Sequence, residues 1–548
     1  MKMKIGAFLV MSMLVVSVGA VMLNKTERVG PKISLSKANF HIEKEVCKSY
    51  QTYNDILRPK MIATLGTDIQ ITGQETDEIH PAIANDNSGN VLIGFEADLR
   101  GDGEYNVWFT YSPDGGATWA ENAIAWQIET PELPSVDYWG EGNRFFGTMV
   151  PNPYEEDGSI LYLMECTNPA DFEEGYTLVG WTWSDVGDGY YNFVDMAIAC
   201  DDGVENWAWG GVSIIGDHGS GLIQTPFFSY QFTEDGYAWI YRWSTGGDEF
   251  TFEYCQSTTM DIDPVTHMAY PVWNYLNPET GVLDLLFSKF DFGTWEPYDS
   301  YQVHPEVGGG LINTSVNDQN IDISAYNDNV IIVSQTDEYG NQDITCYYST
   351  DGMNSVGVSI IANSGDDEMY PKVVHTGDNT AVCIFVKNGN LYQSTTEDGG
   401  ATWSEPIMIN DVSGTVEEDY HTADVCKLGA IWTDNRNGNA DLFFDSVGAF
   451  AVISIDSISG GFGVTATISN IGNAPAENVE WSIDLEGGLI LLGKHKEGVI
   501  PSLAPGASTT VKTGFILGIG KTTASVAADG TTAQASGFVL GPFVLGMK

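Results

Sequence analysis

"YSPDGGATWAE" at residues 111–121 returns almost three hundred residues later as "TTEDGGATWSEP" at 395–406. Shared words that far apart imply that their surroundings repeat as well, and they do. "DEIHPAIANDNSGNVLIGFEADLRGDGEYNVWFTYSPDGGATW" (77–119) and "DEMYPKVVHTGDNTAVCIFVKNGNLYQSTTEDGGATW" (367–403) keep the same order of apolar run, polar turn and apolar run. Weaker copies lie at 270–295, 320–352 and 418–446, and further units are expected to begin near Val150 and Pro226. Each unit consists of short apolar runs divided by Gly, Asn and Asp, the pattern of brief antiparallel strands. A period of about 50 residues holding about four strands is that of a β-propeller. Unit starts near 81, 150, 226, 271, 321, 371 and 421 allow six or seven blades. The last unit lacks a fourth strand, and "DIQIT" (68–72) is expected to supply it and close the ring.

From about residue 449 the style changes. "AVISIDSISGGFGVTATISNIGNAPAENVEWSIDLEGG" alternates apolar and polar residues with the period of half-buried strands, and "IPSLAPGASTTVKT" (500–513) adds a turn and another strand. The expected fold is therefore all-β: a propeller over 66–447, then an immunoglobulin-like β-sandwich over 448–548. Residues 24–65 read as a linker or stalk. Residues 1–23 carry Lys2 and Lys4 ahead of an apolar run ending at Leu23, which reads either as a cleavable secretory signal or as an uncleaved N-terminal anchor. Both place the rest of the chain outside the cytoplasm, at the cell surface or beyond it.

The 548 residues carry 75 acidic and 23 basic side chains, a net charge of −52. The imbalance is local: residues 1–60 sum to +6, residues 61–446 to −56 and residues 447–548 to −2. A domain so acidic repels nucleic acid, which is excluded as a partner, and leaves a membrane contact only to the N-terminal segment. Seven cysteines at irregular spacing fit no zinc site and assign no disulfides. Calcium is admitted by the oxygen-rich "ANDNSGN" (84–90), whose spacing matches no calcium loop.

The repeated phrase resembles the Asp-box of sialidase-like propellers: Ser112, Asp114, Gly116, Thr118 and Trp119 in the first copy, and Thr396, Asp398, Gly400, Thr402 and Trp403 in the second, fall at that family's spacing. "SKFDFGTW" (288–295) and "STDGMNS" (349–355) are degenerate versions. The resemblance implies a turn between the third and fourth strands of a blade, on the face away from any active site. Physically the aspartate accepts backbone N–H groups across the turn, glycine permits positive φ and tryptophan is buried. The C-terminal region is similar to cell-adhesion-related sandwich domains of prokaryotic surface proteins, through "ISNIGNAPAENV" (468–479) and "SLAPGAS" (502–508).

On the opposite face, the loops into the first strands and the hairpins between second and third strands bring together Asp77, Glu78, His80, Asp98, Arg100, Asp102, Asp367, Glu368, Tyr370, Asp419, His421, Asp434 and Arg436. The sialidase resemblance implies three arginines on a carboxylate, an Asp acid/base and a Tyr–Glu nucleophile, with Asp98 or Asp102, Arg100, Arg436 and Tyr370 as candidates. Only Arg100, Arg144, Arg242 and Arg436 occur in the propeller, and Ile79 stands where the family's first arginine belongs. An anionic sugar is a poor fit. The reading preferred on the residues is a non-catalytic surface protein that binds a glycan or another surface ligand through Glu78, His80, His421, Tyr138, Trp139, Trp207 and Trp209, the aromatics standing in long loops over 127–145 and 200–220. A sialidase-like hydrolase and a purely architectural envelope protein are the alternatives.

Overall fold

The computed structural model describes residues 39–41 and most of 68–548; the longer stretches outside the description are 99–104, 126–130, 152–159, 167–175, 183–190, 202–206, 218–224, 233–237 and 243–254. The chain divides into two compact units. The first comprises Met1–Ala84, Leu92–Tyr111 and Ala120–Val447, and the second Asn85–Val91, Ser112–Trp119 and Gly448–Lys548.

Seven antiparallel sheets follow one another among the described residues, each a meander of four strands. Their first strands are Glu78–Asn85, Pro131–Trp139, Tyr191–Ala199, Thr258–Ile262, Asp318–Tyr326, Met369–Gly377 and Ala423–Cys426. The blade count is thus seven. Ile69–Gln70 pairs with Phe443–Phe444 as the fourth strand of the last sheet, so the beginning of the ring closes its end. Second strands such as Val91–Ala97 and Asn329–Thr336 are buried along their whole length. Sheets that stack on both faces leave no side for water, and so their central strands read as continuous apolar runs.

Two expectations need correction. Val150 lies near the end of a second strand, Arg144–Pro151, Pro226 is near the start of a third strand, Thr225–Phe232, and the expected start near 271 falls within a second strand, Met268–Leu276; the blades concerned begin at Pro131, Tyr191 and Thr258. The stretches read as long loops carrying Trp139, Trp207 and Trp209 are strands, Pro131–Trp139 and Trp207–Asp217. Prolines and glycines inside these strands imitate loop composition. Asn39–His41, within the stretch read as linker, pairs in parallel with Leu311–Asn313 and adds a fifth strand to the fourth blade.

One device links most blades. A carboxylate on a first strand accepts the backbone N–H of the next first strand: Asp137 from Cys200 (2.6 Å), Asp195 from Thr258 (2.8 Å), Asp261 from Ala325 (2.7 Å), Asp322 from Val373 (2.8 Å) and Asp424 from Ile83 (2.9 Å). Blades one and two are joined by Glu96, which accepts from the Leu133 N–H at 2.7 Å, and blades six and seven by Glu418, which accepts from the Gly389 N–H at 2.6 Å. Part of the propeller's acidity is therefore its own fastening.

Within the second unit, a three-stranded sheet (Ile453–Ser459, Thr465–Asn470, Ser508–Lys512) and a larger sheet built around Ala476–Glu486, Leu517–Ala528 and Thr531–Gly541 share a core that includes Val464, Ile468, Ile483, Leu485, Val526 and Val539.

Candidate functional site

Strand alternation puts the loops into first strands and the hairpins between second and third strands on one face, and the repeated turns on the other. In those turns the bonding is the same in three blades. Ser112, Ser349 and Thr396 hydroxyls accept the N–H of Gly116, Met353 and Gly400, while Asp114, Asp351 and Asp398 take the backbone N–H of Thr118, Ser355 and Thr402 at 2.7–2.9 Å and their hydroxyls at 2.7–2.8 Å. "STDGMNS" thus carries the full polar scheme, with Val356 in the place of tryptophan. Trp403 is buried in the cluster joining blades five and six, while Trp119 is only partly buried.

On the mouth face the chain repeats a costlier feature. His80 (φ 49°), Leu133 (49°), Asn320 (47°), Tyr370 (56°) and His421 (61°) are left-handed at the start of five first strands, or just before it. Register shifts accompany those at Leu133, Asn320 and Tyr370. A left-handed non-glycine residue costs roughly 1–3 kcal/mol, and such strain concentrates at functional sites. The bulges are tied together. Glu96 Oε1 meets His80 Nδ1 of its own blade (3.1 Å) and takes the Leu133 N–H of the next; Gln335 Oε1 accepts from Asn320 Nδ2 (2.8 Å) and from the Tyr370 N–H (3.1 Å). Asn274 bridges in the same manner, accepting from the Ser257 N–H (2.8 Å) and donating to the Asp318 carbonyl (3.1 Å).

Below the mouth lies a partly buried polar centre. Tyr420 donates its hydroxyl to Asp195 (2.9 Å), His421 Nε2 lies 3.6 Å from the same carboxylate, Thr259 donates to Asp322 (3.1 Å), and Lys372 Nζ stands 4.0 Å from Asp322. Burial lowers the Lys372 ammonium, but Asp322, Asp424 and Asp195 more than offset it and hold it protonated. Burial and the neighbouring Asp195 charge push the Tyr420 phenol up. Burial, together with Lys372, keeps His421 below its ordinary value and so neutral. These groups are poised to hydrogen-bond.

A recess of about 220 Å³ opens beside this centre, lined by Ser257, Asn274, Gln319, Asn320 and Tyr420. All five are neutral and polar. Ser257 is 3% exposed and its hydroxyl has no hydrogen-bond partner among the described residues.

The predicted residues separate on this frame. His80, Tyr370 and His421 occupy the bulge positions. Burial depresses His80, but the hydrogen bond and charge of Glu96, with Asp419 and Glu417, carry it above its ordinary value. Burial, then Asp419 and Glu418, raise the Tyr370 phenol. Glu78 is fully buried, accepts from the Thr76 hydroxyl, and burial raises its carboxyl to about 7. Arg436 is spent within the fold: its fork bonds Asp434 twice (2.9 and 2.6 Å) and Asp68 (2.6 Å), and its guanidinium lies 4.0 Å from the Phe443 ring centre. Asp98 is half-buried, and Arg100 and Asp102 lie outside the described residues. Tyr138 is half-buried with its ring 5.0 Å from Phe145, and the side chains of Trp139, Trp207 and Trp209 lie outside the description. Asp86, in the stretch considered for calcium, accepts from the N–H groups of Ser88 and Asn90 and from the Asn90 amide. Among the described residues no group of three or more His, Cys, Asp or Glu is disposed to hold a metal.

Sequence reasoning missed Glu96, Ser257, Asn274, Gln319, Asn320 and Gln335. One signal bore on the bulges beside them: His80, Leu133 and Tyr370 each precede a proline, which disfavours the right-handed helical region for the preceding residue.

No family model and no curated protein matches the chain. Solved structures that resemble it include an α-L-arabinofuranosidase from Fusarium graminearum (10% identity, 70% of this chain and 98% of that one, TM-score 0.39), the Trypanosoma rangeli sialidase (10%, 86% and 87%, 0.35) and the endosialidase of phage phi92 (11%, 72% and 70%, 0.37). At those scores the fold assignment rests on the seven sheets themselves.

Proposed function

We propose that the propeller mouth binds a neutral, hydroxyl-rich ligand, a glycan or comparable molecule at a cell surface, and does not turn it over. The observation that carries this reading is the recess: five uncharged hydrogen-bonding side chains, one of them a buried hydroxyl without a partner. A buried polar group left unpaired costs roughly 1–3 kcal/mol, and a ligand hydroxyl there would recover it. Arginine supply argues against an anionic sugar. Arg436 is engaged by two carboxylates, and Arg144 opens a second strand and so belongs to the opposite face, which leaves too few for a three-arginine clamp. In this reading the chain is exported by its N-terminal apolar segment, and residues 448–548 are an adhesion-type sandwich.

The test is a neutral-glycan array run beside turnover of a fluorogenic sialoside. Binding to at least one neutral glycan without turnover is expected. Ser257→Ala should weaken that binding roughly tenfold while leaving the melting temperature level or slightly higher, because the hydroxyl it removes has no partner among the described residues. Sialoside turnover, or unchanged glycan affinity in Ser257→Ala, overturns the reading.

A further inference from the structure

Three stretches of the second unit contain no charged, hydroxyl or amide side chain: "GGLILLG" (487–493), "GFILGIG" (514–520) and "GFVLGPFVLGM" (537–547). Each is followed at once by a lysine, Lys494, Lys521 and Lys548. The sheet brings the stretches into one surface. Leu489 is opposite Ile519, Ile519 opposite Leu540, Leu540 opposite Phe543, and Phe543 opposite Phe462. That makes a single row of large apolar side chains across five strands, exposed at 61, 54, 51, 49 and 58%. Leu491, Leu492, Phe515, Phe538 and Leu545 widen it, with Phe515 ringed against Phe462 at 6.0 Å. The alternate residues Ile516, Val539 and Val544 fill the core behind, so both faces of the sheet are apolar at this end.

A sheet face turned to water is ordinarily polar. This one offers on the order of 1,000 Å² of hydrocarbon, above the few hundred Å² that a soluble monomer exposes. Its composition selects the partner. Protein interfaces carry about one hydrogen bond per 100–200 Å², whereas these stretches present no side-chain donor or acceptor except at their lysines. Hydrocarbon requires none. All five basic residues of 448–548 (Lys494, Lys496, Lys512, Lys521 and Lys548) stand within three positions of one of the stretches. Of the seven acids only Asp484 and Glu486 stand as near, and Asp484 is paired with His495 at 2.7 Å. Long lysine stems lie along apolar surface and keep their charge at the level of lipid phosphates.

The excess acidity lies in 61–446 and not in 447–548, which sums to −2; we propose, against the expectation that only the N-terminal segment meets a membrane, that this face docks on a lipid surface, its apolar row entering the acyl region of one leaflet and its lysines meeting the phosphates. The sites are exposed, so they can be changed without opening the core. The experiment is co-sedimentation of the full chain with vesicles of phosphatidylcholine, with and without phosphatidylglycerol. The expected result is binding that falls at least tenfold in Leu491→Ser/Ile519→Ser/Phe543→Ser at unchanged melting temperature, each serine removing a large buried apolar group from the bound state. Lys494→Glu/Lys521→Glu should abolish the preference for phosphatidylglycerol while sparing binding at high salt. Vesicle binding equal to the native chain's in the triple variant would assign it to the N-terminal apolar run and overturn the proposal. So would a native chain that ignores vesicles and instead forms a dimer which the triple variant dissolves.

Discussion

Met353 stands at φ 62° where the matching turns have Gly116 and Gly400. Its side chain is 2% exposed in the core between blades four and five. Strain of roughly 1–3 kcal/mol is opposed by burial of a side chain whose removal costs about 2–5 kcal/mol, so burial wins. That balance lets the degenerate phrase "STDGMNS" form the same turn without the second glycine or the tryptophan. The glycines themselves differ in what they tolerate. A Cβ on Gly400 (φ 97°) would lie 2.9 Å from Tyr348 Cβ and 3.3 Å from Cys346 Sγ, while one on Gly340 (φ 103°) meets nothing within 4 Å. Gly400→Ala should therefore cost about 2–4 kcal/mol, from strain plus overpacking, and Gly340→Ala about 1 kcal/mol, from strain alone. Chemical denaturation of the two variants checks the ranking; equal losses would mean that the inter-blade contact at Gly400 is soft.

At the scale of elements, the strands most legible in the sequence are those bounded by Asn, Asp and Gly turns, which is why blades one, five, six and seven could be aligned by eye. Blade four was entered one strand late, at Met268–Leu276 rather than Thr258–Ile262, and blades two and three were misplaced because Pro131, Pro134, Gly210 and Gly211 lie inside strands, where composition alone cannot tell a bulged or kinked strand from a loop. The mouth was legible in part. Repeated polar turns marked the face, but partners such as Glu96 and Gln335 sit at strand ends, where their sequence context is that of any buried strand. The closing strand makes a separate claim. Asp68, just before Ile69–Gln70, reaches Arg436 at 2.6 Å, and Arg436 also covers the buried Asp434. Truncating Arg436 strands two carboxylates whose side chains are 2% and 0% exposed. Arg436→Ala should lose about 3–5 kcal/mol, the usual cost of breaking a buried pair, and glycan affinity measured well below the new melting temperature should be unchanged. A selective loss of affinity with stability intact would instead make Arg436 a ligand group.

For the whole molecule the acidity acts in two opposed ways, and the pH dependence of stability follows from which carboxylates are involved. Burial raises Glu78, Asp261, Asp318 and Asp343 to about 7, and Asp424 and Asp445 to about 6. The folded state therefore binds these protons more tightly than the unfolded chain does. Their contribution is complete below the ordinary carboxylate range near 4 and is lost as pH rises through 6–7. Asp114, Asp263 and Asp434 behave oppositely: burial raises them, but hydrogen bonds from Thr118, from the Asp328 N–H and Thr266, and from Arg436 outweigh it and hold them below 3.8. Their contribution is present above that value and fails as pH falls below it. Between the two sets lies a window from about pH 4 to 6 in which both contribute. Self-repulsion at a net charge of −52 pushes the same way, since protonation relieves it. Salt separates the causes, because it screens exposed charges over a Debye length of about 3 Å at 1 M and leaves buried acids nearly untouched. Melting temperatures taken from pH 4 to 9 should peak in the acidic window and decline toward pH 8, and about 1 M NaCl should shrink the decline without abolishing it. A curve that flattens completely in salt would assign the effect to surface repulsion alone, and one that rises toward pH 8 would show that the inter-blade carboxylates are ionised in the folded ring.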